Sequence, residues 1–271
     1  MRRVAGLIAY DGTDFHGFQV QRQTPTVQGA LEEALADLTG ESCRVSGAGR
    51  TDTGVHARGQ VIAVELAWRH SLSALREAWN QRLPASILIQ RLSEAPQGFH
   101  PRFSAAERTY RYTMWTPAAD CQGGRRFPLL DRFALVLPRR PDLEAMNRAA
   151  GLLIGRHDFA TFGQAPQGEN TVRCIASLYA EWVKESLTAL EPFALDRLVL
   201  TITANAFLRR MARNLAASLL AIGLGEWQAE DLAAALKAKD RSRSAPPLPP
   251  NGLVLERVQY MEFNDLFAAH S

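Results

Sequence analysis

A chain of 271 residues, 46% apolar and 22% charged, is long enough for one large or two medium domains with their own cores. No apolar run approaches the roughly 20 residues that span a bilayer, and Met1-Arg2-Arg3-Val4 leads straight into a strand-like segment, so a cytoplasmic protein without membrane partners is expected. The three cysteines, Cys43, Cys121 and Cys174, lie far apart with no CxxC, which suggests neither a disulfide framework nor a zinc site.

Residues 3–10 read as a buried strand, followed by an irregular loop, Asp11-Gly12-Thr13-Asp14-Phe15-His16-Gly17-Phe18-Gln19. Thr26 predicts the N-cap of a helix with Val27, Leu31, Ala34, Leu35 and Leu38 on one face, closed by Gly40. Cys43 to Ser46 predicts a short strand. It feeds a glycine-rich loop, Gly47-Ala48-Gly49-Arg50-Thr51-Asp52-Thr53-Gly54-Val55-His56-Ala57, in which the backbone can turn sharply and approach a ligand closely. A strand over Gln60 to Leu66, a helix capped by Ser71 and a strand from Ile87 complete the order βαββαβ.

The second half repeats that order. A strand over Arg108 to Trp115 is followed by a helix opened by Pro141-Asp142, then by strands over Val172 to Trp182 and Leu198 to Thr203. A long helix from about Ala206 to Leu224 and a shorter one around Glu230 to Lys237 precede the proline-rich Ala245 to Pro250 and a closing strand, Leu253 to Tyr260. Split βαβ units give mainly antiparallel sheets with helices on one face, so the expected fold class is α+β with two such domains. The boundary should fall where Gly98, Pro101 and Ser104 interrupt the periodicity, dividing the chain into 1–103 and 104–271.

Asp52 is the carboxylate of the glycine-rich loop, two residues from Arg50 and four from His56. A neighbouring arginine favours its ionised form, which suits a nucleophile or base; an Asx-turn that merely caps loop amides fits the same spacing. His56 reads either as a base or as a packed, loop-bonding residue. Tyr110 and Tyr112 share one face of their strand, opposite Arg111, where they either stack on a base or fill a core. Arg209 and Arg213, four apart, share a face of the long helix, with Arg210 near the same side. Cations in a first turn oppose the helix dipole, so they need a phosphate or carboxylate partner unless they are simply solvated. In composition, 28 of the 31 basic residues are Arg, which suits phosphate and base recognition but also follows from genomic base composition alone, and the net charge is only +3. There is no GxSxG, GxxxxGK[ST] or HExxH pattern, which disfavours nucleotide and zinc hydrolysis.

Gly49-Arg50-Thr51-Asp52-Thr53-Gly54-Val55-His56-Ala57 resembles the GRTDxGVHA signature of the tRNA pseudouridine synthase A family. The resemblance extends through Tyr10-Asp11-Gly12-Thr13, Gly17-Phe18-Gln19, Phe99-His100-Pro101-Arg102-Phe103-Ser104-Ala105, Arg108-Thr109-Tyr110-Arg111-Tyr112, His157-Asp158-Phe159, Met211-Ala212-Arg213-Asn214, Ala245-Pro246 and Gly252-Leu253. It departs at Phe18, where Trp is usual, at Ala212, where Val is common, and at Ala217, near a position often Gly.

The resemblance implies two ferredoxin-like domains flanking a basic catalytic cleft, a homodimer, and conversion of uridine to pseudouridine at positions 38–40 of the tRNA anticodon stem-loop. It makes Asp52 the nucleophile, Arg213 its basic partner, Arg50 the loop residue that helps replace the flipped base, and Tyr110 the ring packed against the target base. The other arginines, Arg58, Arg111, Arg209 and Arg210, are expected to bind substrate phosphates. The reaction breaks a glycosidic bond and makes a C–C bond with no redox change, so neither a cofactor nor a metal is expected. Two rivals remain open at this point: an RNA-binding protein without catalysis, and a hydrolase using Asp52 with His56 that would release free uracil.

Overall fold

The computed structural model describes residues 1–117, 131–165, 168–183 and 195–267; Cys121 and Lys184 lie outside them. The described residues form a mixed α+β structure with mostly antiparallel strand pairing and five α-helices. The chain divides into two compact units, Met1–Arg108 with Val254–Ser271, and Thr109–Leu253.

In the first unit, β1 (Arg2–Tyr10) lies between β4 (Ile87–Glu94) and β3 (His56–Leu66), antiparallel to both. The two-residue β2 (Ser46–Gly47) pairs antiparallel with β3, and β10 (Leu253–Gln259) pairs parallel with it through Val254 opposite His56 and Leu255 opposite Ala57. Helix α1 (Val27–Thr39) is stopped at both ends by local chemistry. The Thr26 side chain accepts from the Gly29 N–H, and Gly40 takes the left-handed conformation at φ 74°. Helix α2 (Leu72–Asn80) is capped by Ser71, and its Leu75 and Trp79 are fully buried.

Strand β3 is buried on almost every residue. One face of it is covered by an apolar cluster in which Val61 and Ala63 meet Ala5, Ala48, Phe99, Tyr260 and Leu266. Two expectations change. The strand expected over Cys43 to Ser46 is reduced to Ser46–Gly47, and the closing strand, assigned from its position to the second half, belongs to the first unit, where β3 offers it a parallel edge.

In the second unit the strand order is β5-β9-β8-β7, with β5 (Glu107–Pro117), β9 (Leu195–Ala204), β8 (Val172–Val183) and β7 (Gly155–Asp158). A short β6 (Leu135–Val136) pairs parallel with β5. Helix α3 (Leu143–Ala150) is capped by Asp142, whose Oδ1 accepts from the Ala145 N–H, and α5 (Ala229–Ala238) by a capping box of Gln228 and Asp231. Helix α4 (Met211–Gly223) is buried along nearly its whole length.

Helix α4 starts later than its apolar spacing suggests. Arg210 sits at φ 65°, and the main chain of Arg209 exchanges hydrogen bonds of 2.9 and 3.4 Å with that of Gln164. A positive φ interrupts the helix, so Arg209 and Arg213 do not share a helical face.

Candidate active site

Asp52 lies half-buried on the loop between β2 and β3. The turn around it is closed by its main chain: the Val55 N–H donates to the Asp52 carbonyl at 3.1 Å, with Gly54 at φ 75°. The loop after β1 grips this turn on both sides. Phe18 N–H donates to the Thr51 carbonyl at 3.1 Å, and Gly54 N–H donates to the Phe15 carbonyl at 3.3 Å.

The approach is so close that side chains would not fit. A Cβ on Gly12 would stand 2.0 Å from the Val55 carbonyl oxygen, and one on Gly17, at φ 90°, would stand 2.6 Å from that of Thr51. Phe18 is buried against Gly47, where a Cβ would meet its ring at 2.5 Å, so the departure from the family's usual Trp keeps an aromatic ring in this contact.

Beneath the loop lies a buried polar cluster. The Tyr10 hydroxyl and Thr51 Oγ1 are 2.8 Å apart, and Gln60 reaches the main chain of Gly49 through two hydrogen bonds. Burial pushes the Tyr10 phenol up to about 12, against the opposing effect of its bonds to Thr51 and Gln60, so it stays neutral. His56 is buried at the start of β3, where its Nδ1 accepts from the Gly12 N–H at 3.0 Å and lies 3.1 Å from Asp11 Oδ1. This is the packed, loop-bonding alternative, and it disfavours His56 as the water-activating base of a hydrolase. Arg50 is exposed, and partial burial, followed by the charge of Arg102, lowers its pKa. Arg58 is exposed on β3 with Nη1 3.6 Å from Glu256 Oε1.

The remaining site residues belong to the second unit. Tyr110 is buried on β5 with its ring edge-on to Phe207, centroids 4.8 Å apart. Tyr112, on the same face, is fully buried and donates from its hydroxyl to the Pro249 carbonyl at 2.7 Å; burial raises its pKa, opposed by the charge of Arg213. Arg213 is half-buried in the first turn of α4, and its Nε donates to the Leu248 carbonyl at 2.6 Å. Arg111 is half-buried on β5, whereas Arg209 and Arg210 are exposed before α4.

Thus the first unit holds Asp52, Arg50 and Arg58, and the second holds Tyr110, Arg111, Arg209, Arg210 and Arg213. Sequence reasoning missed Tyr10, Thr51, Gln60 and the Leu248 carbonyl. For Gln60 a signal was present: a polar residue opening a strand of otherwise apolar character. For Leu248 it was the prolines on either side, which hold a carbonyl in place. Among the described residues no cluster of three His, Cys, Asp or Glu side chains is arranged to hold a metal.

The loop that carries Asp52 lies in the first unit, and Tyr110 and Arg213 lie in the second. The sequence pattern of the tRNA pseudouridine synthase family matches residues 7–104 and 149–261, and the chain belongs to that family, whose members isomerise uridine to pseudouridine in tRNA. It is 43% identical over 262 residues to the tRNA pseudouridine synthase A of Roseiflexus castenholzii, covering 97% of this chain and 92% of that one. It is 40% identical over 264 residues to that of Chloroflexus aurantiacus (96% and 89%) and 35% identical over 261 residues to that of Thermotoga neapolitana (96% and 100%).

Proposed function

We propose that this enzyme converts uridine to pseudouridine at positions 38–40 of the tRNA anticodon stem-loop and that Asp52 is its nucleophile. The N1–C1′ bond breaks, the base turns, and C5 bonds to C1′ while C5 gives up a proton and N1 gains one. Nothing is oxidised or transferred from outside. The observation that carries this reading is the bracing of the Asp52 loop: main-chain bonds at Thr51 and Gly54, and the fit of Gly12 and Gly17, hold the backbone that bears this carboxylate.

The uridine must first leave its stack, at a cost of a few kcal/mol, and Arg50 then fills the space it vacates. Tyr110 packs against the extruded base and Arg213 pairs with Asp52, each in the role that the family resemblance gives it. Arg58, Arg111, Arg209 and Arg210 bind phosphates, so affinity for tRNA falls as salt rises. Asp52 attacks either the ribose or the base ring. The order β4-β1-β3-β2 in the first unit supports a ferredoxin-like reading of that unit, and the resemblance extends the reading to the second. A homodimer in the cytoplasm is the expected working form; no helix among the described residues is long and apolar enough to cross a membrane.

Incubation with unmodified tRNA, followed by position-by-position mapping of pseudouridine, tests the reading. Product confined to positions 38–40 is expected. Its absence across a full tRNA pool would overturn the assignment.

A further inference from the structure

The stretch Phe99 to Ala105 takes no part in the chemistry assigned above, yet it carries a built surface feature. Phe103 is 75% exposed, but its ring is held in place. The His100 imidazole lies 4.4 Å away between centroids with the planes 38° apart, and the Arg102 guanidinium sits 5.5 Å from the ring centre.

His100 is itself oriented by the main chain. Its Nδ1 accepts from the N–H groups of Arg102 and Phe103 at 3.1 and 3.3 Å, which puts the ring proton on Nε2. Burial first, then the charges of Arg3 and Arg102, lowers its pKa, so the ring that backs Phe103 is neutral at physiological pH. Ser104 closes the turn: its Oγ accepts from the His100 N–H, and its N–H donates to the His100 carbonyl, both at 3.0 Å.

This turn is fastened to the Asp52 loop. The buried Arg108 guanidinium donates to the carbonyls of Arg102 at 2.6 Å, Ala105 at 3.1 Å and Ala48 at 3.1 Å. Ala48 is four residues before Asp52. A single exposed phenylalanine needs no explanation. A preorganised one, with the Arg102 guanidinium beside it and its turn tied to the Asp52 loop, does.

We propose that Phe103, backed by His100 and flanked by Arg102, is a stacking platform for a nucleotide of the tRNA substrate other than the one isomerised. The exposed part of the ring takes the base, and the Arg102 guanidinium takes the adjoining phosphate. The positive charge of Arg102 at the ring favours a polyanion over a protein partner or a second copy of the chain. The proposal rests on tRNA being the substrate.

The test uses the full-length enzyme, unmodified tRNA, and the variants Phe103→Ala and Phe103→Trp. Losing one base stack should raise Kd and KM for tRNA about tenfold in Phe103→Ala, with the loss in KM rather than kcat. Phe103→Trp should restore binding, and its added fluorescence should be quenched when tRNA is titrated in. A Kd for Phe103→Ala within about twofold of the parent would overturn the platform. So would a shift in sedimentation to a smaller species with tRNA affinity unchanged, which would make Phe103 a contact between copies of the chain. Failure of the parent enzyme itself to bind or modify tRNA would instead overturn the functional reading on which the platform depends.

Discussion

Gln60 holds Gly49 as a neighbouring strand would: its Oε1 accepts from the Gly49 N–H at 3.2 Å and its Nε2 donates to the Gly49 carbonyl at 2.7 Å. A fully buried amide thereby fixes the residue before Arg50, three before Asp52. Gln60→Leu keeps the volume but leaves both main-chain groups of Gly49 without these partners, which should cost about 1–3 kcal/mol of stability. Because the displaced segment carries Arg50 and Asp52, kcat should fall by more than the lost stability accounts for. Urea unfolding and turnover measured on the folded fraction check this. A stable variant with parental kcat would show that the loop holds itself.

Gly12 and Gly17 are the closest points of approach to the Asp52 turn. Gly17→Ala introduces a Cβ 2.6 Å from the Thr51 carbonyl at a positive φ, and Gly12→Ala one 2.0 Å from the Val55 carbonyl. Displacing a reacting group by about 1 Å can cost on the order of a hundredfold, so both variants should lose kcat steeply. Gly40→Ala is the control. It shares a positive φ but has nothing within 4 Å, and should lower the melting temperature while leaving turnover intact.

These two sets of contacts show where the sequence was legible and where it was not. Caps are local chemistry, so Thr26, Gly40, Ser71 and Asp142 could be read directly as helix limits. The Asp52 loop was equally plain from its glycines. The braces beneath it were not, because Gln60 and Tyr10 act on residues 11 and 41 positions away. The start of α4 was misjudged because an apolar period does not reveal a positive φ at Arg210. The parallel pairing of β10 with β3 joins residues about 200 positions apart, which no local pattern encodes.

Arg213 should need its guanidinium geometry as well as its charge. Its Nε is tied to the Leu248 carbonyl at 2.6 Å, a contact that an ammonium group on a lysine stem reproduces poorly. Arg213→Lys should therefore lose about tenfold or more in kcat, and Arg213→Leu more still. Single-turnover rates at saturating tRNA distinguish this from weakened binding. A lysine variant with parental rates would reduce Arg213 to a simple positive charge.

Asp158 predicts part of the acid limb of stability. Its carboxyl is held below the ordinary value chiefly by Thr171 Oγ1, which donates at 2.5 Å, with Lys239 Nζ at 3.0 Å and the Ala160 N–H at 3.1 Å adding to the effect. A depressed carboxyl stabilises the fold above its unfolded pKa, and that contribution disappears as pH falls through the folded value, below 3.8. Asp158→Asn should be less stable than the parent at neutral pH, and the difference should narrow below pH 3.8. Thermal melts across that range check it. A difference that widens on acidification would contradict the assignment.

Asp52→Ala removes the carboxylate proposed to perform the isomerisation. Single-turnover reactions with unmodified tRNA should show binding within about twofold of the parent and no pseudouridine, since removing a nucleophile abolishes the step that depends on it while phosphate contacts persist. Pseudouridine formed by the pure Asp52→Ala protein at a rate near the parent's would assign the chemistry to another group.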